Sequence, residues 1–197
     1  MTRADSKDAI VLSVLALLGE DQRLSYDAVA KRAGVSRQTV YTHFPTRADL
    51  LLAAVERARE DAGVEVATQS VYEAPTATAA LDALVDVHVS FVPPILRAYI
   101  AVERERSMDP EVEAAFGTRT GGRRSLALHV ATRLQAEGDL ATPWDVDTAC
   151  DLIYALTSGA FTVQLLRDAQ WSPIELRVRL LVTLRRTLLN HPTMEEA

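Results

Sequence analysis

The chain has a single cysteine, Cys150, so no intrachain disulfide can form. A lone thiol in a helical stretch fits a reducing compartment and a packing role better than redox chemistry. Lysine is scarce as well: the 21 basic residues include only Lys7 and Lys31 as lysines. Eight glycines and 8 prolines in 197 residues, with 48% hydrophobic residues, argue against a disordered chain. Long apolar runs are missing. Residues 9–18, AIVLSVLALL, fall short of the roughly 20 needed to cross a bilayer, and no small-residue cleavage pattern follows them. They read as a buried first helix, and a cytoplasmic protein without a membrane partner is expected. No metal-ligand spacing, glycine-rich phosphate loop or nucleophile–base arrangement is present, and the 4 histidines lie far apart. No catalytic residue, metal or cofactor is therefore assigned, and enzymatic activity is not expected.

What is present is helical periodicity throughout, and the expected fold class is all-α. Residues 25–51, SYDAVAKRAGVSRQTVYTHFPTRADLL, are the most informative stretch. Ser25 suits the N-cap of a short helix whose apolar stripe is Ala28, Val29 and Ala33. Gly34 stands where the chain must turn left-handed between helices. Ser36 then caps a second helix, with Val40 and Phe44 spaced i, i+4 to face inward. This is a helix-turn-helix, whose second helix enters the major groove of DNA. Between Arg23 and Arg47 stand Arg23, Lys31, Arg32, Arg37 and Arg47 against the one acid Asp27, in a chain of net charge −6. Positive charge is thus concentrated where phosphates would be met.

The stretch Gly34-Val35-Ser36, Thr39, Tyr41, Phe44, Arg47 and Leu50-Leu51 resembles the recognition-helix signature of the tetracycline-repressor (TetR) family of bacterial transcription regulators. The resemblance covers about a quarter of the chain, and residue types and spacing match together. It implies a three-helix DNA-binding domain followed by a larger helical effector-binding and dimerisation domain, about nine helices in all. The boundaries expected are 1–46 for the DNA-binding domain, 47–68 for a connecting helix and 69–197 for the larger domain.

Within the recognition helix no acid occurs from Arg37 to His43. Arg37 and Gln38, at its leading end, suit base edges, because arginine pairs with guanine O6/N7 and glutamine with adenine N6/N7. Thr39 suits a thymine methyl or a phosphate, and Ser36 and Thr42 share the same exposed surface. The family resemblance implies that Tyr41, His43 and Arg47 hold phosphates, with Ser25 and Tyr26 as further backbone contacts.

Beyond the head, helix 1 is expected over Asp5–Leu18, with Ile10, Val14, Leu17 and Leu18 inward. A fourth helix capped by Thr46 and Asp49 is expected to run to about Val66. A linker is expected over 69–76. Pro93-Pro94 predicts a stop between helices over 77–92 and 95–106. Asp109-Pro110-Glu111 opens a helix that should end at Gly138, with Gly121-Gly122 as a place for it to kink or split. One helix is expected over 147–167, and a last one from the Ser172-Pro173-Ile174-Glu175 capping box onward. His88, Phe91, Tyr99, Phe116, His129, Tyr154 and Phe161 are the candidate effector contacts, favouring an apolar or aromatic small molecule. Leu152, Leu156, Gly159, Ala160, Val163, Leu181, Leu184 and Leu188 are the candidate dimer contacts in a four-helix arrangement of two chains. The resemblance implies a homodimeric repressor on a near-palindromic double-stranded DNA operator, released by a small-molecule effector. The rival reading is a DNA-bound structural or nucleoid-associated protein without an effector.

Overall fold

Helix caps account for most of the boundaries observed in the computed structural model, which describes residues 3–20, 24–117 and 121–190; the side chains of 3, 92–99, 101 and 103 lie outside that description. Among the described residues eleven α-helices follow one another: α1 Arg3–Gly19, α2 Tyr26–Ala33, α3 Arg37–His43, α4 Arg47–Asp61, α5 Val64–Tyr72, α6 Ala77–Arg106, α7 Pro110–Gly117, α8 Gly121–Glu137, α9 Val146–Leu156, α10 Gly159–Val163 and α11 Pro173–Leu188. A π-helical turn, Gln164–Asp168, extends α10. The described residues form no β-strand, only an isolated bridge between Leu140 and Leu189. The protein is all-α. No single helix among the described residues is long and apolar enough to cross a membrane.

The chain divides into two compact units, Met1–Ala62 with Pro94–Arg119, and Gly63–Pro93 with Thr120–Ala197. In the first, Ile10, Val14, Leu17 and Leu18 of α1 are buried against Val29, Val40, Phe44, Leu50, Leu51 and Ala54, together with Val102, Val112 and Phe116. Fully burying side chains of this size stabilises a fold by about 1.5–3 kcal/mol each. In the second, α11 contributes Leu176, Leu180, Leu184 and Leu188 at i, i+4 spacing, packed with Leu81, Val85, Val130, Leu134, Ala149 and Ile153. Arg177 pairs with Asp86 at 2.5 Å, and Arg185 with Asp82, fastening α11 to the first half of α6.

Several expected boundaries move. The helix capped by Thr46 ends at Asp61, because Gly63 takes φ +66° and starts α5 in its place. The expected linker is thereby reduced, since α5 occupies its beginning as far as Tyr72. Pro93-Pro94 does not divide α6, which runs 30 residues from Ala77 to Arg106. An interior proline forfeits one backbone hydrogen bond and crowds the preceding turn, a penalty a long, packed helix can absorb. The segment 110–138 is split, with α7 ending at Gly117 and α8 beginning at Gly121. The expected helix over 147–167 breaks after Leu156, where Ser158 becomes a new N-cap and accepts from the Phe161 amide at 3.2 Å. Residues 94–119 cluster with the N-terminal unit instead of the larger one.

Candidate nucleic-acid interface

Local chemistry builds the helix-turn-helix from both ends. The Ser25 hydroxyl accepts from the Ala28 amide at 3.2 Å and opens α2. At the other end Gly34 sits at φ +67°, its amide returning to the Ala30 carbonyl. Only two residues later Ser36 caps α3, accepting from the Thr39 amide at 3.0 Å. Thr46 and Asp49 close a full capping box at the head of α4. Each cap contributes about 1 kcal/mol, enough to matter for a seven-residue helix that could not persist alone.

Between these caps α3 shows solvent an uninterrupted polar face. Arg37, Gln38 and Thr42 are exposed, Thr39, Tyr41 and His43 are half-buried, and Val40 is wholly buried. The Thr42 hydroxyl donates back to the Gln38 carbonyl at 2.9 Å, leaving its lone pairs outward. Arg37 donates to the Tyr41 hydroxyl at 3.3 Å and pairs with Asp27 at 3.3 Å, both across exposed surface. The phenol bond and the Asp27 carboxylate raise the guanidinium pKa, so Arg37 stays charged. Tyr41 stacks on Tyr26 with ring centroids 4.0 Å apart and 9° between planes. Tyr26 in turn donates its hydroxyl to the Phe44 carbonyl at 3.1 Å, and burial pushes its phenol pKa up. Arg37, Tyr41 and Tyr26 thus form one connected series from the front of α3 to its end. Tyr41 accepts from Arg37, so its own O–H remains free to donate to an incoming oxygen.

Ser25, Tyr26, Arg37 and Arg47 also line one open concavity of about 490 Å³, together with Leu24, Asp27 and Leu50. Arg47, the first residue of α4, is held from behind. Its guanidinium donates to the Leu24 carbonyl at 3.0 Å and lies 2.9 Å from the Glu105 carboxylate. Glu105 is 4% exposed, and Arg47 Nε is buried with no hydrogen-bond partner among the described residues. Glu105 is a site residue that sequence reasoning did not find, because an acid 58 positions away from Arg47 carries no local signal. Asp27 was visible only as the lone acid of the stretch. Arg23 lies outside the described residues.

The candidate effector residues are distributed over both units. His88 Nε2 is 2.7 Å from the Thr162 hydroxyl, and burial, aided by the Arg123 charge, lowers its pKa to about 4. The Arg123 guanidinium lies 3.7 Å from the Tyr154 ring centroid and donates to the Tyr154 carbonyl at 2.5 Å. His88 and Tyr154 therefore share a neighbourhood with two residues the sequence did not flag, Thr162 and Arg123. Phe161 packs on the core of the same unit, and Phe91 is half-buried there. His129 packs instead on Tyr72, ring centroids 4.7 Å apart, and its pKa is lowered by burial and then by Arg133. Phe116 belongs to the core of the N-terminal unit, and the Tyr99 side chain lies outside the description. Among the described residues no three His, Cys, Asp or Glu gather as a metal site. Cys150 is buried, and burial pushes its thiol pKa up, as befits a packing residue.

The candidate dimer residues also separate. Leu184 and Leu188 are fully buried within their own unit, and Gly159 and Val163 are buried too. Buried there, none of the four presents a surface to a partner; for Leu184 and Leu188 this follows from α11 having two apolar sides, and Gly159 and Val163 are buried on α10. Leu152, Leu156 and Leu181 are half-buried, and Ala160 is exposed. The apolar face α11 leaves open is Ile174, 76% exposed, Val178, 49%, and Val182, 44%. Two residues apart on a helix is about 200°, so this stripe lies opposite the Leu176–Leu188 core stripe.

With this geometry in place, residues 22–54 match the family of bacterial regulatory proteins, tetR family. The helix-turn-helix head, over those residues, matches the TetR family. Solved structures agree on the fold over nearly the whole chain. A transcriptional regulator from Saccharomonospora viridis in complex with choline superposes with a TM-score of 0.77 at 17% identity, covering 95% of this chain and 100% of that one. The regulator FadR from Bacillus subtilis in complex with stearoyl-CoA gives 0.73 at 20% identity, covering 91% and 97%. NalD, the secondary repressor of the MexAB-OprM multidrug efflux pump in Pseudomonas aeruginosa, gives 0.72 at 20% identity, covering 95% and 98%. No curated protein matches the chain significantly. The TetR-family match ends within α4, so it speaks for the head and the start of that helix, while the structural likeness extends the fold to the remainder.

Proposed function

We propose that this chain is a TetR-family transcriptional regulator that binds a near-palindromic DNA operator as a homodimer inside the bacterial cell. The observation that carries it is α3, a helix capped at its leading end, free of acids, with Arg37, Gln38 and Thr42 exposed. Arg37 and Gln38 read base edges; Ser36, Thr39 and Thr42 add contacts in the groove. Ser25, Tyr26, Tyr41, His43 and Arg47 serve the phosphate backbone. Two copies are needed because a single short helix binds weakly, and recognition helices about 34–36 Å apart reach successive major grooves. The outer stripe of α11, Ile174, Val178 and Val182, supplies the pairing surface, since it is apolar, at i, i+4 spacing and left exposed by the described residues.

The protein acts as a repressor whose larger unit takes up an apolar or aromatic effector, with His88, Thr162, Tyr154 and Arg123 supplying polarity at its edge. Choline and stearoyl-CoA in two structural relatives support a ligand of some kind in this fold. Release requires that the effector bind the arrangement that fits DNA poorly better than the one that fits it well. Selection of genomic fragments with the purified protein, followed by release assays with candidate metabolites, tests both halves. Enrichment of a near-palindrome supports the regulator. No enriched sequence overturns it, and an enriched sequence that no metabolite releases overturns the sensing half alone.

A further inference from the structure

We infer that Glu105 competes with DNA phosphates for Arg47 and thereby holds back one backbone contact per protomer. The inference rests on the DNA-binding reading of the head. Arg47 stands at the start of α4 and lines the open concavity beside Ser25, Tyr26 and Arg37, where a phosphate would arrive. Its side chain is 33% exposed, so it can turn outward. Its charge, however, is already engaged: the Glu105 carboxylate lies 2.9 Å away and is 5% exposed. An attraction across so little solvent is far less screened than one at a surface. Withdrawing Arg47 would also leave a buried carboxylate uncompensated, which is the expensive way to break such a pair. Asp27 holds Arg37 quite differently, across a pair whose side chains are 57% and 71% exposed, and that pair opens at little cost. Two arginines face the same concavity; one is available and one is restrained.

The restraint is specific in geometry. The Leu24 carbonyl accepts from the same terminal nitrogen that faces Glu105, while Nε is buried and unpartnered among the described residues. The buried nitrogen shows that this side of the guanidinium is turned into the protein. Glu105 and Leu24 thus define the inward rotamer together, and removing the Glu105 charge leaves only neutral acceptors to oppose a phosphate.

The test is a salt titration of binding to a random-sequence duplex, followed by fluorescence anisotropy between about 50 and 200 mM salt. Wild type is compared with Glu105→Gln and with the double variant Glu105→Gln/Arg47→Gln. The expected result is that Glu105→Gln binds about five- to tenfold more tightly near 0.1 M salt, with a logarithmic salt slope steeper by about one per protomer. The double variant loses both gains. Glu105→Asp retracts the carboxylate but keeps its charge; it should gain about twofold and serves where Glu105→Gln does not fold. Unchanged or weaker binding by Glu105→Gln overturns the inference, as does a gain that survives removal of Arg47, which would reflect net charge alone. Wild type that binds the duplex without a gain in the variant overturns only the competition. Failure of every variant to bind duplex DNA overturns the DNA-binding reading and the competition with it.

Discussion

Arg37→Ala separates base reading from generic attraction because the structure shows how little Arg37 gives up to reach DNA. Its free-state contacts are the exposed pair with Asp27 at 3.3 Å and a long hydrogen bond to the Tyr41 hydroxyl at 3.3 Å. Exposed pairs contribute about 0–1 kcal/mol, so nearly all of a groove contact survives as net affinity. A bidentate contact to guanine discriminates by about 1–3 kcal/mol, which is about 5- to 150-fold per protomer. Anisotropy measurements at fixed salt would use the selected operator, its single base-pair variants and a random duplex. Arg37→Ala should lower operator affinity by that factor, flatten the preference at one base-pair position per half-site and change random-duplex binding much less. Folding should be unaffected within about 0.5 kcal/mol, since only surface contacts are lost. Equal losses on operator and random duplex would refute the base-reading role and move Arg37 to the phosphates.

Gly34→Ala should destabilise the head by about 1–2 kcal/mol in denaturant unfolding; an added Cβ meets nothing within 4 Å, so the φ of +67° alone carries the cost. Val178→Asp should convert dimers to monomers in sedimentation without loss of helicity, and a persistent dimer would exclude the outer face of α11. His88 titrates near 4 in the folded chain and near 6.5 when unfolded. Below about 6.5 the unfolded state therefore binds more protons, and stability present at neutral pH declines down to about pH 4, by at most about 3–4 kcal/mol. His88→Gln should flatten that decline, and an unchanged pH dependence would show that His88 is not its source.

The helix-turn-helix was legible because its determinants are local. Ser25, Ser36 and Thr46 each accept from an amide three residues on, and the Gly34 amide donates back to the Ala30 carbonyl, all within one turn. The body was less legible because its determinants are not local. On α11 the apolar positions fall on two sides, and the sequence alone grouped Leu181 with Leu184 and Leu188 as one pairing face. The core takes Leu176 and Leu180 with the last two, in one cluster with Leu81, Val85 and Leu134, while Leu181 packs at its edge. Proline punctuation failed once, where α6 runs through Pro93-Pro94, and glycine and serine punctuation, at Gly63 and Ser158, was underweighted. Thr162, Arg123 and Glu105 had no sequence signal, since each matters through a partner at least 31 positions away.

Charge shows the same division between local and distant information, and it bears directly on how DNA is met. Counted along the chain, the stretch around the recognition helix is strongly basic. In the structure Arg32 is paired with Glu20 at 2.6 Å, Arg37 with Asp27 and Arg47 with Glu105, and two of these acids lie outside the counted stretch. The three pairs differ in exposure: 57% and 71% for Arg37–Asp27, 38% and 45% for Arg32–Glu20, 33% and 5% for Arg47–Glu105. Screening and hydration weaken the first pair most and the last least, so the arginines become available to DNA in that order. Lys31, exposed on α2, stands ahead of them. The head therefore meets a duplex with less positive charge than its composition suggests, and the final increment depends on a carboxylate buried in α6. On the proposed DNA-binding reading, affinity is set by the acids behind the interface as well as by the basic residues on it.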